Sequence, residues 1–401
     1  MGSTVAAQTR IFDLENSRVK QFLDEVTYTL ESESMVSQYN IPMPMQRDVP
    51  NPVELSFPDD VESDSIVLTI SENPDYSYST TMTLPVSDGE AVVYNLIPQR
   101  YYYYKMVANK QEVKRGYFQT IGRVRMIYTP TTYNIRDIGG WETADGRQVR
   151  YGKIYRGCEL NGMNMTDSAD IATLKQLGIA AELDMRYTGE HDEVDAAGVS
   201  AFGFQSSKIT EENTYLCTEN SGAYAEHMNS SSWLLRYKKE FQFIIDNLRL
   251  DRPVYQHCIW GADRTGMLSV LIEGVLGVTY DNIVKDYELT SFSSRAGDRF
   301  KTAHLDSIIK KINQFDGNTL QEKFRTFLTK KVGLTTSNLD YLIETMLEKK
   351  WTTVDIKEQQ VKPAAKKAVY DLQGRKATER RSKGIYIEVD EKGNSRKFIE
   401  P

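Results

Sequence analysis

One stretch of the chain carries three residue patterns in succession within some 25 positions. RPVYQHC, residues 252–258, has β character, IWGADRT is short and turn-forming, and GMLSVLIEGVLGV, residues 266–278, is almost wholly apolar at helical length. A strand that ends in a tight loop and opens directly into an apolar helix demands α/β layering, because two consecutive apolar elements must bury against each other. The neighbouring segments agree. LKQLGIAAELDMR predicts a helix end, a Gly turn and a buried strand, SWLLRYKKEFQFIIDNL an amphipathic helix, and YDNIVKDYELTSF and LTTSNLDYLIETML further helices. Residues 123–350 are therefore expected to form a central, mainly parallel sheet flanked by helices.

The flanks differ. From 46 to 122, short β-rich runs such as PVELSFPDD, DSIVLTISENPD and TTMTLPVSDGE are separated by turn signals and predict a small all-β sandwich. Tyr101 to Tyr104 lie in this region and are expected to alternate between the faces of a strand, with a ring-stacking platform as the alternative. Residues 1–45 carry Ile11, Leu14, Val19, Phe22, Leu23 and Val26 at helical spacing, which predicts a short amphipathic helix within 10–36. Residues 351–401 open with a charged, Pro-containing linker and continue as short strands with turns at QGR, SKG and EKGN.

Composition narrows the function. A net charge of −7 argues against nucleic acid as a partner. No apolar run reaches the ~20 residues that span a bilayer. The leading Met-Gly-Ser resembles a cloning remnant, so removal of a signal peptide is the expectation. Three cysteines, Cys158, Cys217 and Cys258, are too few for a disulfide framework. His191, His227, His257 and His304 lack metal-ligand spacing, and neither a metal nor another cofactor is expected. Oligomeric state is left open.

The loop itself has a chemistry. Cleaving a phosphate monoester without metal needs an in-line nucleophile, a nest of backbone N–H donors for three oxygens, and a cation matched to their charge. Cys258 stands at the loop start, and Arg264, six positions on, can place a planar fork on two oxygens. The helix N-terminus adds its dipole, and these positive surroundings favour the thiolate. Ile259, Trp260, Gly261, Ala262, Asp263 and Arg264 are the expected phosphate-binding residues. Gly261 permits a tight backbone path, and Thr265 is expected to cap the helix and bond the sulfur. His257 is expected to hold the loop by hydrogen bonds rather than to act as a base.

HCIWGADRTG resembles the His-Cys-x5-Arg-Thr/Ser-Gly signature of the cysteine-dependent protein-tyrosine phosphatase superfamily. NIRDIGGWETADGRQVRYGKIYRGCEL, LGIAAELDMRYTGEHDE and IVKDYELTSF, in that order, resemble its bacterial tyrosine/serine phosphatase branch, which has lipid-phosphatase relatives. The resemblance covers about 123–350. It implies an α/β phosphatase fold, a phosphocysteine intermediate on Cys258, a phosphate clamp at Arg264 and no metal. YNLIPQRYYYYKMVA with GYFQT resembles the closing strands of a fibronectin type III domain. YDLQGRKA, SKGIYI and RKFI resemble C-terminal β-modules of exported Bacteroidetes proteins, which implies a periplasmic or cell-surface location. Ala262 departs from the branch, where a lysine often stands; a second loop cation suited to multiply phosphorylated headgroups is missing.

The leaving group needs an acid. The segment 209–227 offers Glu211, Glu212, Glu219 and Glu226 but no Asp, which favours Asp263 inside the loop, proposed as an acid in relatives that carry it. Asp184, at the end of AAELDMR and thus at the carboxyl edge of the sheet, is the second candidate. Arg186 and Glu190 are expected to form a bracing ion pair. The glycines of Arg136-Asp137-Ile138-Gly139-Gly140 suggest a tight turn at the site, from which Arg136 or Asp137 bridges to the loop or forms an ion pair within its own strand. Trp260 either stacks on a substrate ring or packs the loop. Cys158 and Cys217 are ordinary semi-buried cysteines, or one is a redox partner of Cys258. Three functions fit: a phosphatase for phosphotyrosyl or phosphoseryl substrates or other small phosphoesters, an inositol polyphosphate or phosphoinositide phosphatase, or a phospho-binding module without turnover.

Overall fold

The computed structural model describes residues 9–28, 48–57, 61–86, 89–162, 167–189, 196–205, 213–219, 222–293 and 303–350, and the backbone of three strands beyond 367. Seven strands come first: β1 (Arg10–Asp13), β2 (Val53–Ser56), β3 (Ser65–Ser71), β4 (Thr80–Pro85), β5 (Glu90–Val93), β6 (Tyr101–Ala108) and β7 (Gln111–Ile121). One sheet runs β1-β7-β6-β3-β4, and β2 pairs with β5 in a separate antiparallel ladder. Both feed one apolar cluster, with Val53, Leu55 and Val93 from the ladder and Leu68, Met106 and Phe118 from the sheet. Strand β6 is central in its sheet, so its tyrosines alternate between covered faces. Tyr102 and Tyr104 pack on Phe118, Tyr103 leans on Tyr117, and Tyr101 is buried as well. Only the face-alternating expectation fits this placement.

The N-terminal apolar residues do not form one helix within 10–36. Arg10–Asp13 is a strand parallel to β7, with Ile11 exposed, and helix α1 spans only Ser17–Glu25. The break has a local cause: the Asn16 side chain accepts from the Val19 amide at 2.9 Å and starts the helix there. Val19, Phe22 and Leu23 then fill the core of the second unit, with the Phe22 ring 5.3 Å from that of Phe292. Segment 10–28 thus extends one sheet and plugs the other core. Residues 29–47 lie outside the described residues.

The second unit contains β8 (Arg136–Asp137), β9 (Arg147–Val149), β10 (Ile154–Gly157), β11 (Ala181–Asp184), β12 (Tyr215–Cys217), β13 (Val254–His257) and β14 (Leu347–Lys349). Its helices are α2 (Ser168–Gln176), α3 (Ser231–Arg249), α4 (Asp263–Leu276), α5 (Tyr280–Glu288), α6 (Ala303–Ile312), α7 (Leu320–Phe327) and α8 (Thr336–Met346). The sheet order is β12-β11-β13-β10-β8, parallel except at the β8 edge. β9 pairs with β14. Strands β15 (Ala368–Asp371), β16 (Gly384–Val389) and β17 (Ser395–Glu400) form an antiparallel three-stranded sheet.

Two-residue periodicity sorts the central strands. Ile154, Leu183 and Val254 face the large core with α3 and α4, whereas Tyr155 and Tyr255 face a smaller cluster with Leu174, Ile179 and Phe202. The same alternation sends Gln256 toward Ser269 of α4 and His257 toward the opposite side, where Glu182 lies. Helix α4 is apolar all round and buried from Arg264 to Leu276, which makes it the central helix. Each large side chain it buries contributes about 1.5–3 kcal/mol.

Helix α4 meets α7 at Gly274, where an added Cβ would stand 2.4 Å from the buried Phe324 ring. Alanine normally improves a helix interior by about 1 kcal/mol over glycine. Here overpacking of about 1–3 kcal/mol opposes it. Gly274→Ala is therefore expected to lower the midpoint of urea unfolding, and Phe324→Leu in the same chain to restore part of it.

Candidate active site

Residues 258–264 form the turn from β13 into α4, and each carbonyl from 258 to 262 has a hydrogen-bond partner away from the loop centre. The Cys258 oxygen faces His257 Nδ1 at 3.2 Å, the Ile259 oxygen accepts from the Glu159 amide at 3.0 Å, and the Trp260 oxygen accepts from Asn134 Nδ2 at 2.9 Å. The Gly261 oxygen accepts from Arg156 Nη2 at 3.0 Å and the Ala262 oxygen from the Gly266 amide at 2.9 Å. In a trans peptide the C=O and the following N–H are antiparallel. Carbonyls tied outward therefore turn the amides of 259–263 toward the loop centre, the donor nest that a phosphate dianion requires. Gly261 makes the path possible: its φ is +67°, and an added Cβ would stand 2.4 Å from the Gly157 backbone.

Cys258 is buried at the mouth of this nest, and Arg264 is held by an Nη1 bond to the Met185 carbonyl at 3.1 Å. Asp263 is half-buried beside it. Thr265 does not cap α4; the helix starts at Asp263 after Ala262, and Thr265 falls within its first turn. Its buried hydroxyl has no hydrogen-bond partner among the described residues, which suits a group kept for sulfur or phosphate.

Below the nucleophile, His257 places one ring nitrogen on the Cys258 carbonyl and the other 3.1 Å from Glu182 Oε1. The ring is thus held from both of its nitrogens. Glu182 is steadied in turn by the Ser200 hydroxyl and the Ala201 amide.

Asp184 is a poor proton donor. It accepts from Arg186 three times, at 2.7–3.0 Å, and from the Tyr215 hydroxyl at 3.0 Å. Burial pushes its pKa up, but the His257 charge and the Arg186 contacts outweigh that and hold it at about 2. The bracing pair expected for Arg186 and Glu190 is formed instead with Asp184 and with Glu159, at 3.1 Å; Glu190 lies outside the described residues.

Arg136 reaches the loop only at second hand, through Asn134, and Asp137 pairs with Arg125 instead. Arg136 donates to Asp286 at 2.9 Å and to Asn134 Oδ1 at 2.7 Å, and Asn134 carries the Trp260 carbonyl. Asp137 accepts from Arg125 Nη1 at 3.3 Å. Trp260 packs toward Tyr133, with centroids 6.3 Å apart, as the loop-packing alternative expects. Burial raises the Cys158 thiol to about 12 and the Cys217 thiol to about 11, so both are protonated near neutral pH, and Cys158 is wholly buried. Glu219 and Glu226 are exposed, with Glu219 accepting from the Thr188 hydroxyl at 2.6 Å; Glu211, Glu212 and His191 lie outside the described residues.

The residues that sequence reasoning missed are Asn134, Arg156, Glu182 and Asp286. Arg156 links the Gly261 carbonyl to Asp286 Oδ2 at 2.5 Å. Their one sequence signal is that they fall in segments NIRDIGG, KIYRGCEL, AAELDMR and IVKDYEL, far apart in the chain. Among the described residues no cluster of three or more His, Cys, Asp or Glu side chains forms a metal site, and no helix is long and apolar enough to cross a membrane.

Arg156→Met strips the Gly261 carbonyl of its anchor and leaves Asp286 one cation short. It is expected to cost about 3–5 kcal/mol by chemical denaturation and to weaken vanadate binding. Asp184 sets a pH window. Its folded pKa lies below the ordinary value of about 4, so its stabilisation is complete above pH ~4 and is lost as pH falls toward 2. Thermal melts should drop by about 2–3 kcal/mol across that interval, and Asp184→Asn should flatten the drop.

A candidate tyrosine-protein phosphatase of Cupriavidus necator is 28% identical over 166 residues, 39% of this chain and 60% of its own length. The triple specificity protein phosphatase PtpB of Mycobacterium tuberculosis is 25% identical over 194 residues, 39% of this chain and 66% of its own. The chain thus spans three fifths to two thirds of these curated relatives. The crystal structure of P. aeruginosa TpbA shares 15% identity, covering 46% of this chain and 96% of that one, with a TM-score of 0.28. A family model described as the tyrosine phosphatase family matches residues 127–348, more than half of the 401 residues. The chain belongs to the tyrosine phosphatase family.

Proposed function

We propose that the chain hydrolyses phosphate monoesters through a phosphocysteine, with phosphotyrosyl and phosphoseryl side chains as its substrates. The observation that carries this reading is the loop 258–262 with every carbonyl tied outward around a buried cysteine and a fixed arginine. Cys258 Sγ attacks phosphorus in line, the P–O bond breaks, and the leaving oxygen takes a proton from Asp263. Water then attacks the phosphocysteine; the P–S bond breaks, phosphate leaves, and Asp263 takes the proton of the water. Arg264 and the inward amides carry the charge that spreads over the equatorial oxygens in both steps. No step requires a metal ion.

Asp263 is supported as the acid by its half-buried place beside Arg264, and by Asp184 being held ionised. With Ala262 in the loop, Arg264 is its single cation, which favours monophosphates over multiply phosphorylated headgroups. The β-strands before 122 serve, in this proposal, as a fibronectin-like accessory sandwich. The resemblance of YDLQGRKA, SKGIYI and RKFI to exported β-modules supports, in this proposal, a location outside the cytoplasm.

Cys258→Ser is expected to abolish turnover of an aryl phosphate, and wild-type turnover is expected to persist in a chelator. Asp263→Asn should slow hydrolysis of an ester with a poor leaving group by about 10²–10³-fold, and that of a good one far less. Equal rates for wild type and Asp263→Asn on the poor leaving group, with an unchanged acid limb, would overturn the acid assignment.

A further inference from the structure

The carboxyl edge of the central sheet holds a second concavity, separate from the nucleophile loop. It has a volume of about 400 Å³, and its walls include Thr188, Leu216, Glu219, Leu235, Arg236 and Lys239. Strand β12 lies two strands from β13, so the cavity opens roughly 10 Å to the side of Cys258. The chain also joins the two places: Arg264 holds the Met185 carbonyl, and Thr188 in the cavity wall is three residues on.

Among the described residues of its wall the cavity carries two cations, Arg236 and Lys239, and one acid, Glu219. Arg236 is fixed, with Nε donating to the Thr218 carbonyl at 3.1 Å and the guanidinium 4.5 Å from the Trp233 ring. Lys239 makes no hydrogen bond or ion pair among the described residues. Glu219, the one acid among the described residues of the wall, accepts from the Thr188 hydroxyl. Leu235 is 54% exposed at the cavity, and Tyr187, 49% exposed, adjoins it. Leu216 and Leu235 beside two cations suit a side chain with an aliphatic stem and an anionic end. An extended peptide advances ~3.3–3.6 Å per residue, so such a side chain stands about three residues from the phosphorylated one.

We infer that this cavity is a specificity subsite for a carboxylate side chain about three residues from the phosphorylated residue of a peptide substrate, received by Lys239 and Arg236. The inference rests on the phosphatase reading above and names the substrate class for that same site.

The test is binding to the full-length Cys258→Ser chain, followed by fluorescence anisotropy with labelled phosphotyrosine peptides. The peptides carry Glu or Ala three residues before, or three residues after, the phosphotyrosine. At one of the two positions the Glu peptide is expected to bind about fivefold more tightly than its Ala counterpart. Adding Lys239→Glu should abolish or reverse that ratio, and Lys239→Arg should keep it. Turnover of a small aryl phosphate by Lys239→Glu should match wild type. Equal binding of Glu and Ala peptides at both positions, a ratio untouched by Lys239→Glu, or no peptide binding at all overturns the subsite. A surviving binding ratio beside a wild-type chain that hydrolyses no aryl phosphate would instead overturn the reaction and leave the subsite standing.

Discussion

The outward anchoring of the carbonyls from Cys258 to Ala262 is the constraint on which the site depends. Left to itself, a loop of this length alternates donors and acceptors around any anion, and each inward carbonyl would repel a phosphate oxygen. Here five separate groups, from His257, Glu159, Asn134, Arg156 and Gly266, hold the acceptors away. The donor nest is thus preorganised before any ligand arrives. Preorganised dipoles are worth far more than dipoles that must turn, because no reorganisation is left for the transition state.

Holding the loop in this way requires buried charge, and buried charge must be paired. Arg136 and Arg156 both converge on Asp286, and all three are nearly inaccessible to water. Trp141 Nε1 adds a bond to the same carboxylate at 3.4 Å. Glu273 lies beside this group, where burial and the Asp286 charge raise its pKa well above the carboxylate range. Such a cluster adds little to stability by itself, since desolvation offsets most of the attraction. Its effect is positional, through the Arg156 bond to Gly261. On the opposite face of the sheet, His257 with Glu182, and Asp184 with Arg186, brace the other end of the loop.

The two units are held together by the first described segment rather than by a linker alone. β1 completes the first sheet, and α1 plugs the second core between them in sequence. Buried Glu15 accepts from the amides of Arg123 and Val124, where the chain passes from one unit to the other. Helical periodicity in Ile11 to Val26 conceals this, because strand and helix residues there happen to share an apolar spacing. The Asn16 cap separates them, and caps are weaker signals than apolar period.

The nucleophile loop and its setting were legible because they are local. Strand, turn and helix are consecutive, Gly261 has to adopt a positive φ, and Cys258 and Arg264 are six residues apart on one turn. Parallel strands buried on both faces, and the all-round apolar α4, announced the layering for the same reason. Asn134, Arg156, Glu182 and Asp286 were not legible as anchors, since each lies on a different segment and a buried polar residue looks the same in sequence as an exposed one. Asp184 illustrates the limit: its place at the sheet edge followed from the sequence, but its protonation was set by Arg186 and His257. The sequence by itself determined the α/β layering and the loop that brings Cys258 and Arg264 onto one turn, because those depend on neighbours in the chain. Only the tertiary structure decided which carboxylate is held ionised, which arginine carries the loop, and where a second cavity opens, because those depend on burial and on partners brought from tens of residues away.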